Sequence, residues 1–346
     1  MISRRTFLAI SGAVGARRAL GGAGAPVTSQ EVAGGYFEWA EVAEGIRVGW
    51  GDDGASLLVT SRGEALLIDC KGYGLGTTLR REAEAGGERL VAAVNTHHHS
   101  AQTGGNIAFT PDVQVIAHRR AGPRIVAGVE GVLRALQQDP GGGIIAGRRS
   151  EIGEGGYSNG GTRQALLDFD ALVAGVESVV AGNFGPSTVF SGEHELTVGA
   201  LEVQLHHFGN AHTDNDVVVW IPERRVAHVG NLVYIDTHPF VDAPRGGEIG
   251  SWQRCLDRIS ELCGPEATIV ASDGRLLGTT HDVETQGAYF DAVNTLVQSA
   301  VDAGMSREET VDFIPSTAMG RFSGLAQPGR LAANLGIAYE EIIARR

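Results

Sequence analysis

The sequence predicts an α/β protein, and three observations carry that reading. Short apolar runs separated by glycine read as strands, with helix-period segments between them. Residues 65–69, 77–85 and 90–94 read as strand, helix and strand, the order of a parallel βαβ unit. The second strand of that unit ends in Thr96-His97-His98-His99, and ligands gather at the carboxyl ends of such strands. The 346 residues suffice for one large domain, and no internal repeat or strong linker divides them. With 50 glycines the chain favours tight turns over a helical bundle.

Along the chain, Ser3-Arg4-Arg5-Thr6-Phe7-Leu8 resembles a twin-arginine export motif, followed by a short apolar stretch and the small-residue site Ala23-Gly24-Ala25. Residues 1–25 are therefore expected to be a twin-arginine signal peptide, giving a periplasmic or extracellular protein. The alternative is a frayed N-terminal helix with a chance arginine pair. Strands are expected at 45–48, 55–59 and 65–69, then a helix at 77–85 stopped by Gly86-Gly87. Strands follow at 90–94 and 113–117, and a helix at 123–138 starts on Pro123, whose missing N–H costs nothing there. Residues 139–162 are glycine-rich and polar with few periodic apolar positions, which predicts a long loop. Leu201, Val203 and Leu205 alternate as a strand, and 217–221 with 226–229 form a hairpin around Pro222. A further strand ends at Val270. Tyr289, Val293, Leu296, Val297 and Val301 recur at helix spacing, Ser306 and Glu309 form a capping box, and Leu331, Leu335, Ala338 and Ile342 mark a last helix. The expected division is a main domain over 34–283 with a helical extension over 284–346 packed on it.

A formal net charge of -13 argues against nucleic acid and anionic membranes as partners. No apolar run beyond the N-terminus is long enough to span a bilayer, so no stable membrane association is expected after signal removal. A small-molecule substrate is the expected partner, and a locally basic pocket would admit an anionic one. Cys70, Cys255 and Cys263 show no paired spacing and read as small buried hydrophobes.

The chemistry-bearing pieces occur in a fixed order: Leu66-Leu67-Ile68-Asp69, His97-His98-His99, Gly104-Gly105-Asn106, the segment from Gly209 through His212-Thr213 to Asp216, Val229-Gly230-Asn231-Leu232, and Ala271-Ser272-Asp273-Gly274. This series resembles the metallo-β-lactamase superfamily from about residue 42 to 278. The resemblance implies a four-layer αββα sandwich with a helical C-terminal extension. It also implies that His97, His99 and His212 match the superfamily's three-histidine metal site. Ala101, Gln102, Asn231 and Asp273 stand where ligands of its second metal belong. Ala101 has no donor atom, and neutral Gln102 and Asn231 are poor ligands for a divalent cation.

All four departures fall on one metal, so one Zn²⁺ per chain is expected. Three imidazoles with an open fourth position suffice for a catalytic zinc, which lowers the pKa of bound water to about 7. The leading function is an exported mononuclear zinc hydrolase acting on an ester, lactone, amide or similar bond. A silent binding module, or a metal-free lyase or isomerase, is the alternative. Asp273, then Asp214 or His98, are candidates for the proton-handling role of the carboxylate missing at position 101. Asp69 is the expected support for the metal loop. His98 otherwise reads as an outer support or exposed residue, and His118, His194, His228 and His238 as ordinary hydrogen-bonded or surface histidines. His206 and His207 read as packing residues. The 139–162 segment reads as a solvated insertion or as a lid carrying Arg148 and Arg149 towards substrate.

Overall fold

Two mixed sheets lie face to face, with helices on both outer sides. The computed structural model describes residues 34–346 apart from 53, 140 and 274–276, so the expected signal segment lies outside the described residues. The first sheet runs in sequence order: β1 (Glu38–Ala43), β2 (Ile46–Trp50), β3 (Ala55–Ser61), β4 (Glu64–Ile68), β5 (Arg89–Asn95), β6 (Gln114–His118) and β7 (Thr188–Phe190). It is antiparallel as far as β4 and parallel from β4 to β7. The second sheet contains β8 (Glu193–Val198), β9 (Leu201–His206), β10 (Val218–Ile221), β11 (Val226–Gly230), β12 (Thr268–Ala271) and β13 (Leu277–Gly278), stacked in the reverse order from β13 to β8.

Strand alternation sorts the core into layers. Leu57, Val59, Leu66, Ile68, Ala92 and Val94 of the first sheet meet Val203, Leu205, Val219, Ile221 and Val270 of the second in the inter-sheet core. Their immediate neighbours point outward. Leu58, Leu67 and Ala93 pack under α1 (Gly76–Ala83) and the helices described next, while Val218, Ala227, Val229 and Ile269 pack under the C-terminal helices. Strands buried on both faces read as continuous apolar runs, as these do. Each fully buried Leu, Ile or Val among them contributes about 1.5–3 kcal/mol by leaving water.

The expected loop at 139–162 is largely helical instead. After the short α2 (Ser100–Thr103) and α3 (Ala121–Gln137) come α4 (Gly143–Gly155) and α5 (Asn159–Ala174). Ser158 caps α5 by accepting a hydrogen bond from the Gly161 N–H at 3.0 Å. Ile152, Ala165 and Phe169 dock these helices in the outer core of the first sheet. A Cβ on Gly161 would lie 2.2 Å from the Gly35 carbonyl carbon, so glycine there allows close helix approach while hiding the helical period. Arg148 is anchored within the protein. It is tied to Asp52 at 2.7 Å and to the Tyr73 carbonyl at 2.9 Å, and Arg149 pairs with Asp170 on the surface.

The outer layer on the second sheet comprises α6 (Ile249–Cys263), α7 (Thr280–Asp302), α8 (Arg307–Phe313) and α9 (Gly329–Ala344). Trp252, Tyr289, Phe290, Leu331 and Leu335 join strands β10–β12 in one apolar cluster. No described helix is long and apolar enough to cross a membrane.

Candidate metal centre

The histidines emerge from β5 at the seam between the sheets, and Thr96 is the hinge of that seam. Its N–H donates to Asp69 Oδ1 and its hydroxyl to Asp69 Oδ2, both at 2.8 Å. Its carbonyl accepts from Val217 N–H of the other sheet at 2.7 Å. The expected support by Asp69 is therefore indirect, since the carboxylate holds Thr96 and Thr96 faces His97. Burial pushes the Asp69 carboxyl up to about 7, against the donors from Thr96 and Ser272. Behind the loop, Asn95 and Asn106 exchange amide hydrogen bonds at 3.0 and 2.9 Å. A Cβ on Gly105 would lie 2.0 Å from the Cys70 carbonyl oxygen, which explains a glycine in the turn that follows the histidines.

Three ring nitrogens converge. His97 Nε2 and His212 Nε2 each lie 3.1 Å from His99 Nδ1. The opposite nitrogen of every ring has an acceptor, which assigns the tautomers. His212 Nδ1 faces the Phe240 carbonyl at 2.7 Å and must donate to it. Thr96 has spent its hydroxyl proton on Asp69, so at 3.1 Å it accepts from His97 Nδ1. His99 Nε2 donates to Asp242 Oδ2 at 3.0 Å. Three bare lone pairs then point at one another with no proton between them. Such an arrangement is repulsive unless a cation sits among them. Zinc–nitrogen bonds of about 2.0–2.1 Å imply tetrahedral edges of about 3.3–3.4 Å, close to the spacing here. Burial holds His97 and His212 well below the ordinary imidazole range, with neighbouring imidazoles adding to the effect. They stay neutral, the form that ligates metal.

One loop between β11 and α6 serves two of these histidines. Phe240 receives the His212 proton, the Asp242 N–H donates to the His212 carbonyl at 3.0 Å, and the Asp242 carboxylate takes His99. Sequence reasoning does not find these partners. A backbone acceptor has no residue signature, and Asp242 lies in a loop with no fixed spacing from either histidine. His98, His99 and Asp242 also form a second possible ligand group, sharing His99 with the first.

The other candidate residues stand apart from the three nitrogens. His98 is buried, bonded to the Asn215 amide at 3.0 Å, and pushed down to about 3 by burial and then by His99. Asp214 is gripped by Arg124 through both oxygens. Burial, the largest single influence, raises its carboxyl, but the hydrogen bonds from Arg124 and Asn215 with the charges of Arg124 and Arg120 together hold it below the usual range. Asp273 pairs with Arg330 at 3.2 Å and is partly exposed. His228 is fully buried with both nitrogens satisfied. Cys70, Cys255 and Cys263 are buried free thiols.

The model of the metallo-beta-lactamase superfamily matches residues 49–274, well over half of the sequence. The chain belongs to the metallo-beta-lactamase superfamily. Among solved structures with this fold, a metallo-beta-lactamase from Pontibacter korlensis is 15% identical with a TM-score of 0.52, covering 74% of this chain and 99% of its own. DIM-1 metallo-beta-lactamase exposed to ceftazidime is 16% identical with a TM-score of 0.51, covering 74% and 97% respectively. At these identities the likeness shows the fold alone. No curated protein matches the sequence. Within the superfamily, this member has a histidine-rich candidate metal site and helices that continue beyond the matched segment.

Proposed function

We propose that the chain is a hydrolase that uses one zinc ion on His97, His99 and His212 against an ester, lactone, amide or similar bond. The convergence of three lone pairs, each fixed by an acceptor on the far side of its ring, carries this reading. When bound, such an ion supplies Lewis acidity and lowers the pKa of bound water to about 7. The protein's own part is orientation. Thr96, Asp242 and the Phe240 carbonyl hold the rings, and Asp69 holds Thr96. Phe240 stacks against His99 with centroids 6.3 Å apart and leaves an apolar face open at the site. Of the three proton-handling candidates we assign Asp273, whose carboxylate is partly exposed and makes one ion pair among the described residues. Asp214 is clamped by Arg124, and His98 is buried and held neutral.

The test is metal content of the purified protein beside hydrolysis of a panel of esters, lactones and amides. Roughly one zinc per chain, lost together with hydrolysis in His212→Ala, is the expected result. Less than about a tenth of an equivalent in the wild type, with no change in the variant, would overturn the proposal.

A further inference from the structure

The side of the site that lacks metal ligands carries a cation of its own. Arg330 comes from α9, beyond the segment matched by the superfamily model. Its guanidinium lies over the ring of Tyr234 at 5.4 Å and of Phe240 at 5.8 Å. Both rings pack against His212, with centroid separations of 6.2 and 5.6 Å. The helix therefore brings a fixed positive charge to the wall of the histidine site. It does so beside Asp273 and Asn231, two of the four positions where second-metal ligands are missing. Asn231 gives its amide to Tyr234 Oη at 2.9 Å, and its buried Oδ1 has no hydrogen-bond partner among the described residues.

The donors of Arg330 are only partly spent. Nη1 donates to the His238 carbonyl at 3.1 Å and to Asp273 Oδ2 at 3.2 Å. Nε and Nη2 make no hydrogen bond among the described residues, and the side chain is 28% exposed. Those two nitrogens form one edge of the planar fork that matches the paired oxygens of a carboxylate or phosphate. Phe240, 41% accessible, lies against the same guanidinium.

We propose that Arg330 supplies a positive charge where ligands of a second metal are missing, and that its free edge binds an oxyanion of the substrate beside an apolar group resting on Phe240. The substrate class is then a small organic anion carrying a carboxylate or phosphate next to an apolar moiety. The word substrate rests on the hydrolase reading, but the anion site itself does not. Asp273 sits on Nη1 and leaves that edge open, but its negative charge offsets the guanidinium and opposes an incoming anion, so the pair tunes affinity.

Titration of metal-free protein with benzoate and with inorganic phosphate at low ionic strength tests this, using wild type, Arg330→Gln, Arg330→Lys and Asp273→Asn. A charged hydrogen-bonded contact implies that Arg330→Gln weakens binding by roughly tenfold or more. Arg330→Lys should retain part of the affinity, because it keeps the charge and loses the fork. Asp273→Asn should tighten binding, whereas a merely structural ion pair would leave it unchanged or weaken it. No saturable binding of either probe to the wild type, or equal affinities in wild type and in an Arg330→Gln variant of unchanged circular dichroism, overturns the proposal. Because ions are stripped beforehand, absence of zinc in the native protein would sink the hydrolase reading and leave this result readable.

Discussion

The two sides of the candidate site are carried by the same seam and differ in what stands behind their side chains. In the histidine half each ring has one nitrogen aimed inward and the other locked by a hydroxyl, a carbonyl or a carboxylate. In the opposite half the side chains bond to one another, Asn231 to Tyr234 and Asp273 to Arg330, while Ala101 offers no donor at all. The backbone frame is shared by both. Gly230 has φ of 54°, a Cβ on it would lie 2.7 Å from Thr96 Oγ1, and its carbonyl accepts from the Ser272 N–H at 2.8 Å. The contrast teaches that a metal site consists of outward-facing nitrogens as much as inward-facing ones. One half has both kinds of partner, and in the other Asn231 and Asp273 are engaged with Tyr234 and Arg330.

The largest effect should come from His99→Ala, because His99 belongs to both possible ligand groups. Zinc content should fall below about a tenth of an equivalent and hydrolysis with it. Retention of zinc by this variant would break the comparison at its root. Asp242→Ala should weaken metal affinity by roughly 10–100-fold while leaving all three ligands in place, measured by competition with a chelator. An unchanged affinity would mean that the far side of the ring does not matter here.

A smaller effect concerns pH. His228 accepts from the Gly230 N–H and faces the Ala55 carbonyl, each at 3.2 Å, an arrangement that fits only the neutral ring. Burial pushes it from the ordinary 6.5 down to about 4. The unfolded chain takes up that proton below 6.5 and the folded chain does not, so stability falls as pH drops from 6.5 towards 4. The slope is about 1.4 kcal/mol per pH unit for this group. Burial raises Asp69 and Asp216 to about 7, which acts in the opposite direction over the same interval. The share of His228 is therefore read by difference. Metal-free wild type should lose more melting temperature than His228→Gln between pH 6.5 and 4.5, and parallel curves would contradict the assignment. The smallest effect is expected from Asn231→Ala, which should leave zinc content unchanged. A drop in zinc would make the second half part of the metal site after all.

Much of this was legible in the sequence, for reasons that also explain the gaps. The inter-sheet core follows from doubly buried strands such as Leu66-Leu67-Ile68, and the ligands follow from side-chain type and order. β8 was hidden because Glu193, Glu195 and Thr197 are exposed and leave few apolar residues to mark a strand. Glycines diluted the periodicity of α4, although Ile152 packs as firmly as any core residue. Asp242 and Arg330 reach the site only through tertiary structure, from a loop and from a helix distant in sequence. No local pattern records such an approach.

Thr96 and Val217 join the two sheets by one backbone hydrogen bond, and the three histidines straddle the same join. An ion shared by His99 and His212 would clamp positions 113 residues apart. In polymer terms that is a cross-link closing a long loop, and for a loop of about 100 residues the chain-entropy estimate is near 5 kcal/mol. On this view the zinc would act as a staple for the sandwich as well as a reagent in its mouth. Chelation would then loosen the grip of one sheet on the other before any outer helix let go.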